Sequence, residues 1–162
     1  MKISYATLVH NERQEIERLL NYLLKHKSKT DEIVIMLDSQ NVTKEVRDYV
    51  EDFVLTHKKN NYVVLCSHAL NKNFAKHKNY LSRQCSGEWI FLIDADEYPD
   101  EYLMSSIPFI IKQNPDVEAY QVPRINEVDG ITAAHMAMWG WNANDNGWIN
   151  FPDYQMRLYK ND

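Results

Sequence analysis

Residues Trp89 to Tyr102 read WIFLIDADEYPDEY. Five apolar residues, Trp89 to Ile93, run without a break into Asp94-Ala95-Asp96-Glu97. An apolar run of that length suits a strand buried on both faces, as in a parallel sheet. The acids that follow repel one another, so their closeness calls for a compensating positive charge, and a bound cation is the first candidate. Asp94 and Asp96 are two residues apart, and extended backbone would put both on one side. Carboxylates are hard oxygen ligands that suit Mn²⁺ or Mg²⁺, with phosphate oxygens and water completing the shell. The plainer alternative is a solvated turn or a helix cap.

Upstream, the same alternation repeats. Ile3 to Val9 reads as a β-branched strand. NERQEIERLLNYLLKH then places Ile16, Leu19, Leu20, Leu23 and Leu24 on one helical face, with Asn11 as the expected cap. Glu32 to Leu37 is a second strand ending at Asp38, followed by a helix whose stripe is Val46, Val50, Phe53 and Val54. Tyr62 to Cys66 is a third strand. A third helix carries Phe74, His77, Leu81 and Cys85 on one side, with Gly87 as its expected stop. Downstream, Asp100 opens a helix that Pro108 should kink or break. Val117 to Ile125 and Asp153 to Tyr159 are strand-like, with their directions open. Strand–helix alternation of this kind predicts an α/β fold: a mostly parallel open sheet with helices on both faces.

The 162 residues suffice for one domain with a core, and the net charge of −5 gives no electrostatic footprint for nucleic acid. Cys66 and Cys85 lie in no metal-ligand spacing and suit buried thiols in a reducing compartment. No apolar run reaches membrane-spanning length, and no secretory leader is visible. The expectation is a cytoplasmic protein, with peripheral contact to a membrane left open. Trp139, Trp141 and Trp148 lie among Asn and Gly, which fits either a pocket rim or an irregular piece of core.

Ligands of open parallel sheets bind at the carboxyl ends of the strands. Four polar stretches fall there: His10-Asn11-Glu12, Asp38-Ser39-Gln40-Asn41, His68 to Lys78, and Asp94 to Glu97. Asp38 could accept from a ring N–H of a nucleobase, or simply start a turn. Glu12 suits a helix N-terminus as well as a ligand. Lys72, Lys76 and Lys78 form a positive cluster fit for a diphosphate, or a solvated helix face. His77, on the apolar side of its helix, reads as core.

Four stretches carry a resemblance to a known family. ISYATLVHNERQEIERLLNYL, DEIVIMLDSQNVT, NFAKHKNYLSRQCSGEWIFLIDADEYPDEYL and FPDYQMRLYKN are similar to family-2 glycosyltransferases of the GT-A fold, near the branch of lipopolysaccharide-core type sugar transferases. The resemblance implies that Leu8, Asn11 and Glu12 line a nucleotide pocket. It implies that Asp38 meets the base and Lys78 the base or phosphates. Asp94 would lie near the ribose or sugar, and Asp96 would coordinate a divalent metal. Asp94 and Asp96 would be the catalytic pair, acting with Mn²⁺ or Mg²⁺. The implied donor is a nucleotide-diphosphate sugar, UDP-sugar first. The acceptor would be a hydroxyl on a saccharide, a lipid-linked molecule or a protein, and transfer would invert the anomeric carbon.

The expected domain is 1–162, with a nucleotide-binding half at 1–97 and an acceptor-side half at 98–162. Three departures stand out. Lys78-Asn79 replaces the usual Arg-Asn, and Ser39-Gln40-Asn41 replaces a glycine-bearing turn. In the family an acidic general base follows the QMRLYKN-like strand, whereas this sequence stops at Asp162, so a C-terminally shortened domain is expected. Glu127, Asp129, Asp145 and Asp153 remain as acids on the acceptor side. The rival expectation is a nucleotide-sugar or glycan-binding module without a base. A nucleotidyltransferase is disfavoured because VHNERQE contains no glycine.

Overall fold

A computed structural model describes residues 1–161; Asp162, the last residue of the expected domain, lies outside them. The elements alternate along the chain as β1 (Ile3–Val9), α1 (Arg13–His26), β2 (Glu32–Asp38), α2 (Lys44–Asn61), β3 (Val63–His68) and α3 (Phe74–Ser82). They continue with β4 (Trp89–Asp94), α4 (Glu101–Gln113), β5 (Ala119–Arg124), α5 (Ala133–Trp139) and β6 (Asp153–Lys160). All strands join one six-stranded sheet in the order β3-β2-β1-β4-β6-β5. β1 pairs in parallel with β2 and β4, and β2 with β3. β6 runs antiparallel to both β4 and β5, which fixes the directions that the sequence left open.

Alternation along the strands divides the core between the two faces of the sheet. Ile3, Tyr5 and Val9 of β1 join Ile33, Ile35 and Leu37 of β2 and Trp89, Phe91 and Ile93 of β4 on one face. That face is covered by Ile16, Leu19, Leu20 and Leu23 of α1, Val46, Val50 and Phe53 of α2, and Met104, Ile107 and Ile111 of α4. Burying each of these aliphatic side chains is worth about 2 kcal/mol against leaving it in water. The opposite face gathers Ala6, Val34, Met36, Ile90 and Leu92 under Leu81 and Cys85. Helices therefore lie on both faces, as the continuous apolar strands require.

Four local expectations are corrected. Asn11 does not cap α1; Glu12 holds that position, and its carboxylate folds back on the amides of His10 and Asn11 at 2.9 and 3.0 Å. Gly87 does not stop α3, which ends at Ser82 with Arg83 still right-handed. A Cβ at Gly87 would stand 2.6 Å from Ser4 Oγ, 2.7 Å from Ser4 N and 2.9 Å from Lys2 O, so the residue lets the turn before β4 lie against β1. Pro108 does not break α4, because Met104, Ile107 and Ile111 are buried on either side of the exposed proline. β3 starts at Val63 rather than Tyr62, which takes a left-handed φ of 49° as the cap of α2.

Candidate active site

The strand register brings the polar stretches to one edge of the sheet. Leu8 lies opposite both Met36 and Asp94, and Asp38 opposite His68. The chain ends beyond these pairs form a continuous carboxyl edge from Asp38 through the β1–α1 turn to Asp94. Leu8 is half-buried against the second core cluster. Asn11 is exposed, and the amide of Thr43 reaches His10 O at 3.0 Å, which ties the start of α2 to the turn after β1.

Asp38 is buried, and its carboxylate is engaged from within. It accepts from Asn41 Nδ2 at 2.7 Å, Gln40 N at 3.2 Å and Leu70 N at 3.3 Å. Desolvation would raise its pKa, but these donors outweigh that and hold it below the ordinary carboxylate value. Asp38 thus pins the loop after β3 to the end of β2. His77 is buried, as expected, and its Nδ1 lies 3.0 Å from Nδ1 of His68. Burial and the neighbouring His68 push the His77 pKa down. His68 also stacks on Tyr80 with ring centroids 4.5 Å apart.

The acids after β4 meet a positive charge from the chain itself. Arg157 of β6 is buried, and its Nη2 donates to Asp94 Oδ2 at 2.8 Å and Glu97 Oε1 at 2.6 Å. Glu97 Oε1 also accepts from Arg124 Nη1 at 3.1 Å. Arg124 turns its Nε and Nη2 onto Asp153 Oδ2 at 2.9 and 2.6 Å. An ionic chain Asp94–Arg157–Glu97–Arg124–Asp153 therefore crosses the ends of β4, β6 and β5. Burial works to raise the pKa of Asp94, but the bond from Arg157, with the charges of Lys78 and Arg124, depresses it. Lys78, half-buried on α3, is thus within electrostatic reach of Asp94, whereas Lys72 and Lys76 are exposed.

Asp96 stands apart from that chain. It is exposed, and among the described residues no hydrogen bond or ion pair engages it. It opens onto a cleft of about 640 Å³, whose walls include Leu103, Val122, Arg124, Glu127 and Arg157. No cluster of three His, Cys, Asp or Glu side chains able to hold a metal occurs among the described residues. The donor set still fits a hard divalent cation that shares its shell with a ligand: Asp96 is free, and Arg157 takes only Oδ2 of Asp94, leaving Oδ1. Leu8, Asn11, Glu12, Asp38 and Lys78 do not line this cleft; they lie along the neighbouring stretch of the edge.

The acceptor-side acids separate clearly. Asp153 accepts from Asn126, Arg124 and Gln155, which bring its pKa down to about 2. Glu127 is exposed in the cleft, while Asp129 and Asp145 are exposed away from it. α5 buries none of its residues, so Trp139 and Trp141 belong to a rim rather than a core. Trp141 lines a second hollow of about 410 Å³, and Trp148 meets Phe151 edge-on at 5.0 Å. Arg124 and Arg157 are the site residues that sequence reasoning missed. Their signal was a single arginine in each of two otherwise uncharged strand stretches, at the end of YQVPR and inside YQMRLY.

Among the described residues, no helix is long and apolar enough to cross a membrane. The sequence signature described as Glycosyl transferase family 2 matches residues 4–161. No curated protein sequence matches the chain. Among solved structures, S. aureus TarS 1–349 superposes with a TM-score of 0.66 at 19% identity, covering 99% of this chain and 47% of that one. The same TarS fragment in complex with UDP-GlcNAc gives 0.64 at 21% identity, covering 82% and 37%. The mannosyltransferase PcManGT from Pyrobaculum calidifontis, in complex with GDP-Man and Mn²⁺, gives 0.61 at 22% identity, covering 75% and 35%. These likenesses establish the GT-A fold, and the chain spans less than half the length of each of these structures.

Proposed function

The chain belongs to glycosyl transferase family 2, and on that premise we propose that it moves a sugar from a nucleotide-diphosphate donor, a UDP-sugar first, to an acceptor hydroxyl. In this proposal transfer depends on Mn²⁺ or Mg²⁺ and inverts the anomeric carbon. The observation that carries the reading is Asp96: a partnerless carboxylate at the carboxyl edge of a parallel sheet, two residues from an Asp94 held by Arg157. Leaving a carboxylate unpaired beside four other charged groups makes sense if a ligand supplies its partner. The UDP and UDP-GlcNAc complexes of TarS, and the GDP-Man and Mn²⁺ complex of PcManGT, support a nucleotide-sugar donor and a metal.

On this reading the roles are those that the family resemblance implies. Leu8, Asn11 and Glu12 line the nucleotide, Asp38 offers its remaining lone pairs to the base, and Lys78 faces the phosphates. Asp96 and the free Oδ1 of Asp94 would hold the metal, while Arg157 fixes the direction of Asp94. A divalent cation, when bound, offsets the charge that gathers on the departing diphosphate. The acceptor hydroxyl enters from the cleft and attacks the face opposite the leaving group. Asp153 is a poor base, because a group with a pKa of about 2 holds a proton weakly at neutral pH. Of the four acceptor-side acids, Glu127 is the one that lines the cleft without an internal partner, so the hydroxyl's proton is assigned to it. The free thiols Cys66 and Cys85 support a reducing, cytoplasmic setting.

The engagement of Asp153 also favours a second reading, a module that binds donor or glycan without turnover. Sugar transfer measured from this chain would exclude it. The first reading is tested by melting. UDP at about 100 times its dissociation constant should add roughly 2.7 kcal/mol of stability, and only with Mn²⁺ or Mg²⁺ present. Asp96→Ala should abolish that gain, and GDP run in parallel reports the preferred base. Melting curves unmoved by UDP and metal together would end the proposal.

A further inference from the structure

The second hollow, of about 410 Å³, shares Arg124, Asn126 and Val128 with the main cleft and continues it away from Asp96. Its walls include Trp141 and Tyr154, which are 36% and 58% exposed. Neither ring is spent on the core. Trp141 is braced by Trp139, with centroids 5.0 Å apart, and Trp139 in turn stacks on His135 at 5.2 Å. The hollow has a fixed frame. Ile149, buried in its wall, donates its amide to Asn126 O at 2.9 Å, and Asn150 N reaches Asn142 O at 2.7 Å.

The polar groups in the hollow have a particular character. Its one cation, Arg124, spends three of its five N–H donors on Asp153 and Glu97, and their carboxylates match its charge. The charge of Asp153 is matched by Arg124, with Asn126 and Gln155 adding donors. What remains for a ligand is neutral and two-sided. Asn126 keeps its Oδ1 acceptor after donating through Nδ2, and Asn150 keeps its Nδ2 donors after accepting the Asn142 amide through Oδ1. Two exposed aromatic faces with spare amide donors and acceptors suit a ring whose faces are apolar and whose edge is hydroxylated. They favour a neutral ligand over a phosphate or carboxylate, because the charge of Arg124 is already matched by Asp153 and Glu97.

We infer that this hollow is a binding subsite for one uncharged pyranose residue of the acceptor, so that the acceptor is a saccharide rather than a bare lipid alcohol or a protein side chain. Its role as an acceptor subsite rests on the glycosyl-transfer reading; its sugar chemistry does not. The ionic chain joins the two places, since Asp153 at the edge of the hollow leads through Arg124, Glu97 and Arg157 to Asp94.

Saturation-transfer NMR on the full chain tests the inference. The neutral probes are the methyl pyranosides of glucose, galactose, mannose and N-acetylglucosamine; glucuronate and glucose 6-phosphate are the charged probes. At least one neutral glycoside should bind, and the charged probes should bind more weakly. Trp141→Ala and, separately, Tyr154→Ala should each weaken binding about tenfold, while Trp141→Phe keeps most of it. The inference falls if no neutral glycoside binds, if both alanine variants bind like the parent, or if a charged probe binds best. UDP with Mn²⁺ is titrated into the same samples. Its stabilisation should survive Trp141→Ala. Absence of saccharide binding to the parent chain with UDP binding intact sinks the subsite alone. Absence of UDP binding with saccharides still bound sinks the donor reading and leaves the subsite standing.

Discussion

Glu32 stands at the amino end of β2 with a side chain only 4% exposed, and four donors converge on it. Lys2 Nζ, Ser4 Oγ, Ser86 N and Ser86 Oγ all lie at 2.6 Å. Desolvation alone would raise its pKa; the donors overcome that and take it from 4.5 down to about 2. A depressed carboxyl contributes stability that is complete above the unfolded pKa and is lost as pH falls through the folded one. Glu32 should therefore contribute roughly 3 kcal/mol at neutral pH, fading between about pH 4.5 and pH 2. Urea unfolding of the parent and of Glu32→Gln across that window should show a gap that closes with acid. A gap independent of pH would place the effect in packing. Arg157 belongs at this scale too. Arg157→Met leaves Asp94 without its cation and Glu97 with Arg124 alone, and should cost about 2 kcal/mol, the low end for a broken pair because the Asp94 side chain is 40% exposed. Arg157→Lys should recover part of that, since it keeps the charge but not the longer arginine side chain that places Nη2 between both carboxylates. Urea unfolding of both variants checks the order. The carboxylates of this site were legible because they directly follow an apolar run. Arg157 was not, because it meets Asp94 across 63 positions of sequence and a basic residue in an alternating strand reads as solvent-facing.

At the scale of elements, Gly87 and Gly147 separate two reasons for glycine. Gly87 needs space: an added Cβ meets backbone atoms of Ser4 and Lys2 below 3.0 Å, and backbone cannot step aside as a flexible side chain would. Gly147 has open space around it but a φ of +79°, so the same substitution costs conformation only. Gly87→Ala should destabilise by about 2–3 kcal/mol through forced separation of β1 from the turn before β4. Gly147→Ala should cost about 1 kcal/mol. Denaturant midpoints of the two variants test that order, and the reverse order would show that the β1 contact yields. Elements were legible wherever an apolar period persisted: β1, β2 and β4 and the stripes of α1 and α2 stand where periodicity put them. Their ends were less so. α3 ends at Ser82 with no glycine at its cap, and the survival of α4 past Pro108 rests on burial of Met104, Ile107 and Ile111. α5 was unread because AAHMAMW carries no apolar face opposed to a polar one, and no core covers it.

For the molecule as a whole, the sheet order decides how the expected halves relate. β6, from the acceptor-side half, pairs with β4, so the last strand of the nucleotide-binding half is not an edge. Residues of both halves share one core cluster, where Met104, Ile107, Ile111 and Leu158 pack with Ile3, Ile33 and Phe91. The ring of Trp89 also lies 5.6 Å from that of Tyr120. The ionic chain adds Arg157 and Arg124 of one half to Asp94 and Glu97 of the other. None of this was visible along the chain, because a strand's neighbours are fixed by crossovers and not by its own pattern. Cutting after Glu97 would strip β4 of a partner, open the core and leave Asp94 unpaired. The halves should therefore unfold as one unit. Trp139, Trp141 and Trp148 report on the acceptor-side half, joined by Trp89 at the seam, whereas α1, α2 and α3 dominate the far-UV signal of the other half. Tryptophan fluorescence and far-UV circular dichroism, followed through one urea titration, should give the same midpoint and slope. A fluorescence transition that runs ahead of the helical signal would mean that the β4–β6 seam is a boundary between domains and not the middle of one.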